Sequence, residues 1–190
     1  MEKSTTKKKI AVFISGRGSN LKSLIKNSKL KQGKFKIHLV ISNKLTAQGL
    51  KYAKFNKIKS FAIEKSLKEF ENKSLSLIKK YKINYICLAG FMRILSSSFI
   101  KKAKIPIINI HPSLLPKFKG LNTHERAIKS KQKFSGCTVH YVSEKLDSGK
   151  IILQKKVKIL KKDNPKTLAS KVLKLEHKAY REALNFIINF

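Results

Sequence analysis

Residues Ile10 to Ile25 read IAVFISGRGSNLKSLI, and a change of period inside that stretch decides the fold. Five consecutive apolar residues, Ile10 to Ile14, suit a strand buried on both faces. Beyond SGRGSN the apolar positions become Leu21, Leu24 and Ile25, which is helical spacing. Strand, glycine turn and helix together open a parallel α/β unit. Such a junction points backbone N–H groups and a helix N-terminus at whatever lies in front, which suits a phosphate dianion. Gly16 and Gly18 allow close approach, and Ser19 or Asn20 is placed to cap the helix. A plain strand-to-helix turn with no ligand is the alternative.

The turn is neither of the common nucleotide loops. Leu21 stands where the dinucleotide fingerprint has its third glycine, and no Asp or Glu occurs between Glu2 and Glu64 to hold a ribose. No GK[ST] follows, which excludes a Walker loop. A single phosphate on a small substrate is the sharper reading.

Outward from this unit, strand and helix alternate. Phe35 to Ile41 reads as a second strand, with His38 packed or at an edge. Leu50, Ala53 and Lys54 fit a helix, Ser60 to Ile63 a third strand, Lys68 to Tyr81 a helix, and Asn84 to Leu88 a fourth strand closed by AGFMRIL. Ile105, Ile107, Ile108 and Ile110 mark another buried strand, broken by His111, Pro112 and Ser113 into a proline-rich loop. Asn109 and His111 are two apart, so on an extended chain their side chains leave the same face. Pro106, Pro112 and Pro116 stiffen the surroundings. In such sheets ligands sit outside the carboxyl ends of the strands, so AGFMR and NIHPS are expected to face one crevice.

LNTHERAI then opens a helix with Thr123 as its cap and His124 in an exposed first turn. His124 and Glu125 make no zinc-protease helix, because the second histidine would fall at Ile128. Cys137 to Val142 and Ile151 to Val157 read as an antiparallel pair joined through Asp147 and Gly149. Asp147 and Asp163 are the only aspartates; Asp163 reads as an exposed turn, while Asp147 invites a functional reading. Asn164 to Phe190 carries helical periodicity and packs as one or two helices. The fold expected is α/β: a Rossmann-like, mostly parallel sheet flanked by helices, with an antiparallel strand pair in the C-terminal part. Residues 1–190 form a single domain on this reading.

The chain has 44 Lys and Arg against 10 Asp and Glu, a formal charge of +34. Taken alone, that suggests nucleic acid. Only Arg17, Arg93, Arg126 and Arg181 are arginines, however, and the lysines are spread along the whole chain. Bidentate or stacking recognition would cluster arginines and aromatics. Compositional drift on solvated positions is the better account, with nonspecific polyanion binding at low salt. Cys87 and Cys137 lack CxxC partners and read as free buried thiols in a reducing compartment. The Met-Glu start lacks a signal-peptide core, and no apolar run approaches the roughly 20 residues of a membrane helix. A soluble, cytoplasmic protein without a membrane partner is expected.

ISGRGSNL, LAGFMRIL, NIHPSLLPKFKGLNTH, GCTVHYVSEKLDSGKIILQ and the later Glu176-His177 pair come in order and cover nearly all of the chain. Together they resemble the phosphoribosylglycinamide formyltransferase family of folate-dependent enzymes in purine synthesis. The resemblance implies direct formyl transfer from 10-formyltetrahydrofolate, as co-substrate and without a metal, to the amine of 5-phosphoribosylglycinamide. It implies a catalytic Asn109, His111 and Asp147. It places the substrate phosphate on Gly18, Ser19 and Asn20, and the ribose against Glu176. The pteridine would lie along the backbone of Met92, Arg93, Ile94 and Leu95 and against the loop from Val142 to Asp147. Asn109, His140 and Thr138 would line that site. The family's basic folate contact aligns with Leu67, leaving Lys68 beside it.

In that chemistry an amide and an imidazolium stabilise the developing oxyanion, each such donor typically worth about 3 kcal/mol. A carboxylate beside an imidazole favours the charged ring and can hold a water that shuttles the proton. The partners implied are small molecules, with no specific nucleic acid. A formyltetrahydrofolate hydrolase shares the shorter Asn-x-His and LDSG core and is the nearest alternative.

Overall fold

Nothing polar interrupts the run from Ile10 to Ile14, and it is buried accordingly. In the computed structural model, which describes residues 7–30 and 33–188, Ile10 to Ile14 are fully buried within β1 (Lys8–Ile14). The chain divides into two compact units, one of residues 1–108 with 184–190, the other of residues 109–183.

In the first unit β1 lies between two parallel neighbours, β2 (Phe35–Ser42) and β4 (Tyr85–Leu88), with β3 (Lys59–Ala62) parallel outside β2. Parallel neighbours need crossovers, which α1 (Ser19–Ser28), α2 (Gly49–Phe55) and α3 (Leu67–Lys80) provide. A shorter helix, α4 (Ser97–Ala103), follows β4 and was not expected from the sequence. Only Phe99 and Ala103 are buried on it, too short an apolar series to show a period. Its start is capped by Ser96, whose hydroxyl accepts the Phe99 N–H at 3.0 Å and is itself held by Glu71, whose carboxylate accepts from the Ser96 amide and hydroxyl, both at 2.7 Å. Phe13 meets Phe70 edge-on at 5.6 Å, and Phe70 stacks on Phe91 at 5.3 Å, fixing α3 over the sheet. Each such ring pair adds about 0.5–1.5 kcal/mol to the area it buries.

The cap of α1 differs from expectation. Gly18 is the N-cap, at φ +76°, and no side chain caps the helix. Ser19 and Asn20 already belong to the first turn, because the glycine takes the left-handed conformation a side chain would disfavour. By contrast, Ser66 and Glu69 form a full capping box at α3.

β5 (Ile107–His111) begins in the first unit and ends in the second, where the strand order runs β5, β6 (Phe134–Tyr141), β7 (Ile151–Lys158). β6 and β7 are antiparallel, as expected, with a bulge between Val139 and His140. β6 starts three residues before Cys137. Gly136 accounts for this: a Cβ there would strike the Lys155 carbonyl on β7. α5 (Thr123–Lys129) is capped by Asn122 at φ +56°, not by Thr123, which is buried at its first position. α6 (Pro165–Ile188) is one continuous helix. Asp163 closes an exposed turn, as expected, its N–H donating to the Leu160 carbonyl at 2.9 Å, but its side chain is not free. It accepts from the Leu160 amide and pairs with Lys171 at 2.7 Å, its side chain 3% exposed.

No helix among the described residues is long and apolar enough to cross a membrane. Residues 1–6, on which the signal-peptide reading rested, and 189–190, the end of the last helical segment, lie outside those described.

Candidate active site

Three sequence-predicted side chains converge in the second unit. His111, the last residue of β5, has Nδ1 3.3 Å from Asp147 Oδ2 and Nε2 2.9 Å from the Phe118 carbonyl. Both partners are acceptors, so a proton on each ring nitrogen satisfies both contacts. Asp147 also accepts the Gly120 N–H at 2.8 Å, and it is buried.

Asn109 reaches the group through His140. The His140 ring has Nδ1 2.9 Å from the Tyr141 carbonyl and Nε2 3.2 Å from Asn109 Nδ2. Burial, 98% complete, holds the pKa of His140 below the ordinary imidazole value. The neutral ring therefore donates from Nδ1 to Tyr141 and accepts at Nε2 from the asparagine amide. That contact sets which way the Asn109 amide faces and leaves its second N–H free to donate elsewhere. His140 Nε2 lies 3.7 Å from Asp147 Oδ1, so one carboxylate stands between two imidazoles.

The surrounding loops explain how short polar segments hold these positions. Thr138, fully buried on β6, donates to the Ser113 carbonyl at 2.6 Å and accepts from Leu115 N–H and Gln154 Nε2. It therefore anchors the loop after His111, and all its polar capacity is used in doing so. Asp147 sits at φ +46°, a left-handed conformation that Asp tolerates better than most residues. Gly149 follows because a Cβ there would collide with the Tyr141 carbonyl. Gly149 is thus a backbone requirement, whereas the turn at Asp147 does not demand aspartate, since Lys57, Lys82, Lys104 and Lys131 take the same left-handed conformation.

His124 was expected to be exposed; it is half-buried, and its Nδ1 has no hydrogen-bond partner. Burial lowers its pKa, with a smaller contribution from His111. Glu176 is buried on α6. Burial, and next the Glu176 charge, push the Cys137 thiol up to about 12, which makes it inert as a nucleophile. A cleft of about 570 Å³ between residues 114–118 and 131–135 is not lined by Asn109, His111 or Asp147.

In the first unit the glycine turn is tightly built. Gly49 N–H donates to the Gly16 carbonyl at 3.0 Å, and a Cβ on Gly18 would lie 2.6 Å from Gly49 Cα. Ser19 is half-buried and Asn20 buried at the uncapped start of α1. The segment from Met92 to Leu95 is neither helix nor strand. Met92 and Ile94 are each 67% exposed, Leu95 is buried, and the Arg93 guanidinium is tied back to the Lys65 carbonyl at 2.8 Å. Lys68 is exposed in the first turn of α3.

The formyl transferase family profile matches residues 8–184. This chain belongs to the formyl transferase family. Among solved structures of this family, the phosphoribosylglycinamide formyltransferase from Brucella melitensis superposes with a TM-score of 0.91 at 41% identity, covering 96% of each chain. A trifunctional purine biosynthetic protein adenosine-3 from Gallus gallus is 42% identical over 187 residues, 96% of this chain. The chloroplastic phosphoribosylglycinamide formyltransferase of Arabidopsis thaliana is 31% identical over 95% of it. The chain spans 19% of the length of the former and 65% of the latter. The α/β fold with a C-terminal antiparallel pair is that of these formyl transferases. What sequence reading of this formyl transferase missed are backbone groups, the Phe118 carbonyl and the Gly120 N–H, together with the anchor Gln154. No motif marks a carbonyl, and only the positive φ implied by Gly120 hinted at a turn.

Proposed function

We propose that this chain transfers the formyl group of 10-formyltetrahydrofolate to the primary amine of 5-phosphoribosylglycinamide. The single observation that carries the proposal is the Asp147 carboxylate 3.3 Å from the His111 ring, with Asn109 oriented beside it by His140. When bound, the folate supplies an activated formyl group on nitrogen 10. Asn109 directs its second amide N–H at the formyl oxygen, where negative charge develops. His111 holds a proton at Nε2, parked on the Phe118 carbonyl, and delivers it to the folate's nitrogen 10 as the bond from that nitrogen to the formyl carbon breaks and the amine nitrogen's bond to the same carbon is complete. Asp147 steadies the protonated ring and takes the amine's proton through a water. No covalent nucleophile is required, and Cys137 is unfit for one.

In the first unit, Ser19 and Asn20 at the uncapped start of α1 would take the phosphate, with Gly18 supplying the turn. Glu176 would contact the ribose. The backbone of Met92 to Leu95, flanked by the exposed Met92 and Ile94 side chains, fits a flat heteroaromatic ring that needs both polar and apolar contact. Lys68, exposed at α3, would meet the folate's carboxylates. The partners are small molecules and not specific nucleic acid, and two buried cysteines outside any disulfide accord with a cytoplasmic location.

A rate assay following folate deformylation with and without phosphoribosylglycinamide tests this. Amine-dependent turnover is expected. Formate release that ignores the amine would assign the chain to hydrolysis instead.

A further inference from the structure

The Met92 to Leu95 segment has no regular structure, so something outside it must fix its backbone. Ser15, directly after β1, is that anchor. Its N–H donates to the Gly90 carbonyl at 3.1 Å, and its Oγ accepts the Met92 N–H at 2.7 Å. The same hydroxyl donates its one proton to Asn43 Oδ1 at 2.6 Å. With the proton committed to Asn43, a hydroxyl lone pair is aimed at Met92 and cannot rotate away. Ser15 and Asn43 are 6% and 5% exposed, so water does not substitute readily for either. Gly90, at φ +69°, turns the chain between the two contacts.

We propose that Ser15 is a positioning residue for the folate subsite, its hydroxyl, oriented by Asn43, fixing the peptide of Met92 against which the pterin ring lies. The inference rests on the reading of residues 92–95 as the folate contact. Ser15 does not touch the reacting atoms. Its backbone bond to Gly90 survives side-chain replacement, so the glycine turn that follows it should be undisturbed.

The test is steady-state kinetics on Ser15→Ala and Ser15→Thr, with thermal denaturation of each. In Ser15→Ala the KM for 10-formyltetrahydrofolate should rise about tenfold, equivalent to about 1.4 kcal/mol. Its kcat and the KM for the phosphorylated amine should stay within about threefold, the pattern of lost uniform binding. Ser15→Thr, which keeps the hydroxyl, should restore the folate KM. An unchanged folate KM in Ser15→Ala overturns the inference. So does a parallel loss of kcat, both KM values and Tm that threonine fails to rescue. Wild-type protein that transfers no formyl group refutes the transfer reading itself. The inference then stands on calorimetric affinity for 5-formyltetrahydrofolate, which Ser15→Ala should weaken about tenfold; equal affinity, or no binding by wild type, overturns it.

Discussion

Asp147→Asn separates the charge of the carboxylate from its shape. The replaced side chain has the same size, and its carbonyl oxygen can still accept from Gly120 N–H and His111 Nδ1, as Oδ2 does at 2.8 and 3.3 Å. Its new amide would stand where Oδ1 stands, 3.7 Å from His140 Nε2 and beyond hydrogen-bond distance, so the lone pair of that ring stays with Asn109. The fold should therefore tolerate the change, with Tm shifted by no more than about 4 °C, the effect of roughly 1 kcal/mol in a domain of this size. The chemistry should not. A unit charge 3.3 Å from a protonated imidazole, at an effective dielectric near 20, is worth about 5 kcal/mol, of which an amide dipole keeps a fraction. A net loss of about 3–4 kcal/mol lowers kcat by roughly two to three orders of magnitude. KM for either substrate should change little, since the charge acts on the ring. Asp163→Asn, with the same charge change at a helix start, is the control: it should lower Tm and leave kcat alone. If Asp147→Asn retains kcat within about fivefold of wild type while folded, its charge takes no part in catalysis and the proposed proton path is wrong.

Other perturbations follow from the same geometry. Thr138→Val removes the hydroxyl that bonds Ser113, Leu115 and Gln154, leaving buried groups unpaired at about 1–3 kcal/mol; denaturant titration should show that loss, with kcat reduced as the His111 loop loosens. Gly18→Ala forces a Cβ against Gly49 and a side chain at φ +76°, so it should cost about 1–3 kcal/mol of stability, seen in Tm. Ser19→Ala, free of that strain, is the cleaner probe of phosphate binding and should raise KM for the phosphorylated amine alone. Stability should also fall on acidification below about pH 6.5. Burial depresses the pKa of His140 in the folded state, so the unfolded chain binds the proton first. Each such proton costs about 1.4 kcal/mol per pH unit until the folded value is reached. Tm measured from pH 7.5 to 5.5 should drop, and should drop less in His140→Gln; a rise on acidification would contradict the assignment.

Fold and site were legible to different depths in the sequence. β1 and β2 show because both are buried runs bounded by glycine or polar turns, and the switch to helical spacing after Gly18 is unambiguous. α4 was not legible, since seven residues with two buried positions carry no period; its one local signal is the cap at Ser96, which is held in turn by Glu71, 25 residues earlier. The caps of α1, expected at Ser19 or Asn20, and of α5, expected at Thr123, were misplaced by one or two residues for a common reason. Gly18 and Asn122 adopt positive φ, and the reading favoured the hydroxyl neighbour, Ser19 or Thr123, over the residue whose backbone makes the turn. The pairing of Asn109 with His111 followed from a two-residue period. The approach of Asp147 to His111 was expected from the family resemblance alone, because it depends on a left-handed residue in a loop, which spacing cannot report.

The scarcity of acids, which first drew notice to Asp147, has a wider physical meaning. In a chain with 44 cationic residues and 10 acidic ones, Glu64, Glu69, Glu71, Asp147 and Asp163 each accept a backbone N–H. A lysine at any of these places could not accept, and would leave a backbone donor without that partner. Five of the ten acids thus hold a backbone donor: Glu69 and Asp163 serve helix starts, and Glu71 holds α4. Glu71 and Asp163 use both oxygens, and Glu64 and Glu69 are exposed; what distinguishes Asp147 among these five is a buried second oxygen that faces an imidazole. One oxygen binds Gly120 and His111, and the other lies near His140 alone, 3.7 Å away. A carboxylate with one oxygen fixed and one available can hold its place while a proton passes, whereas a carboxylate with both oxygens in caps cannot.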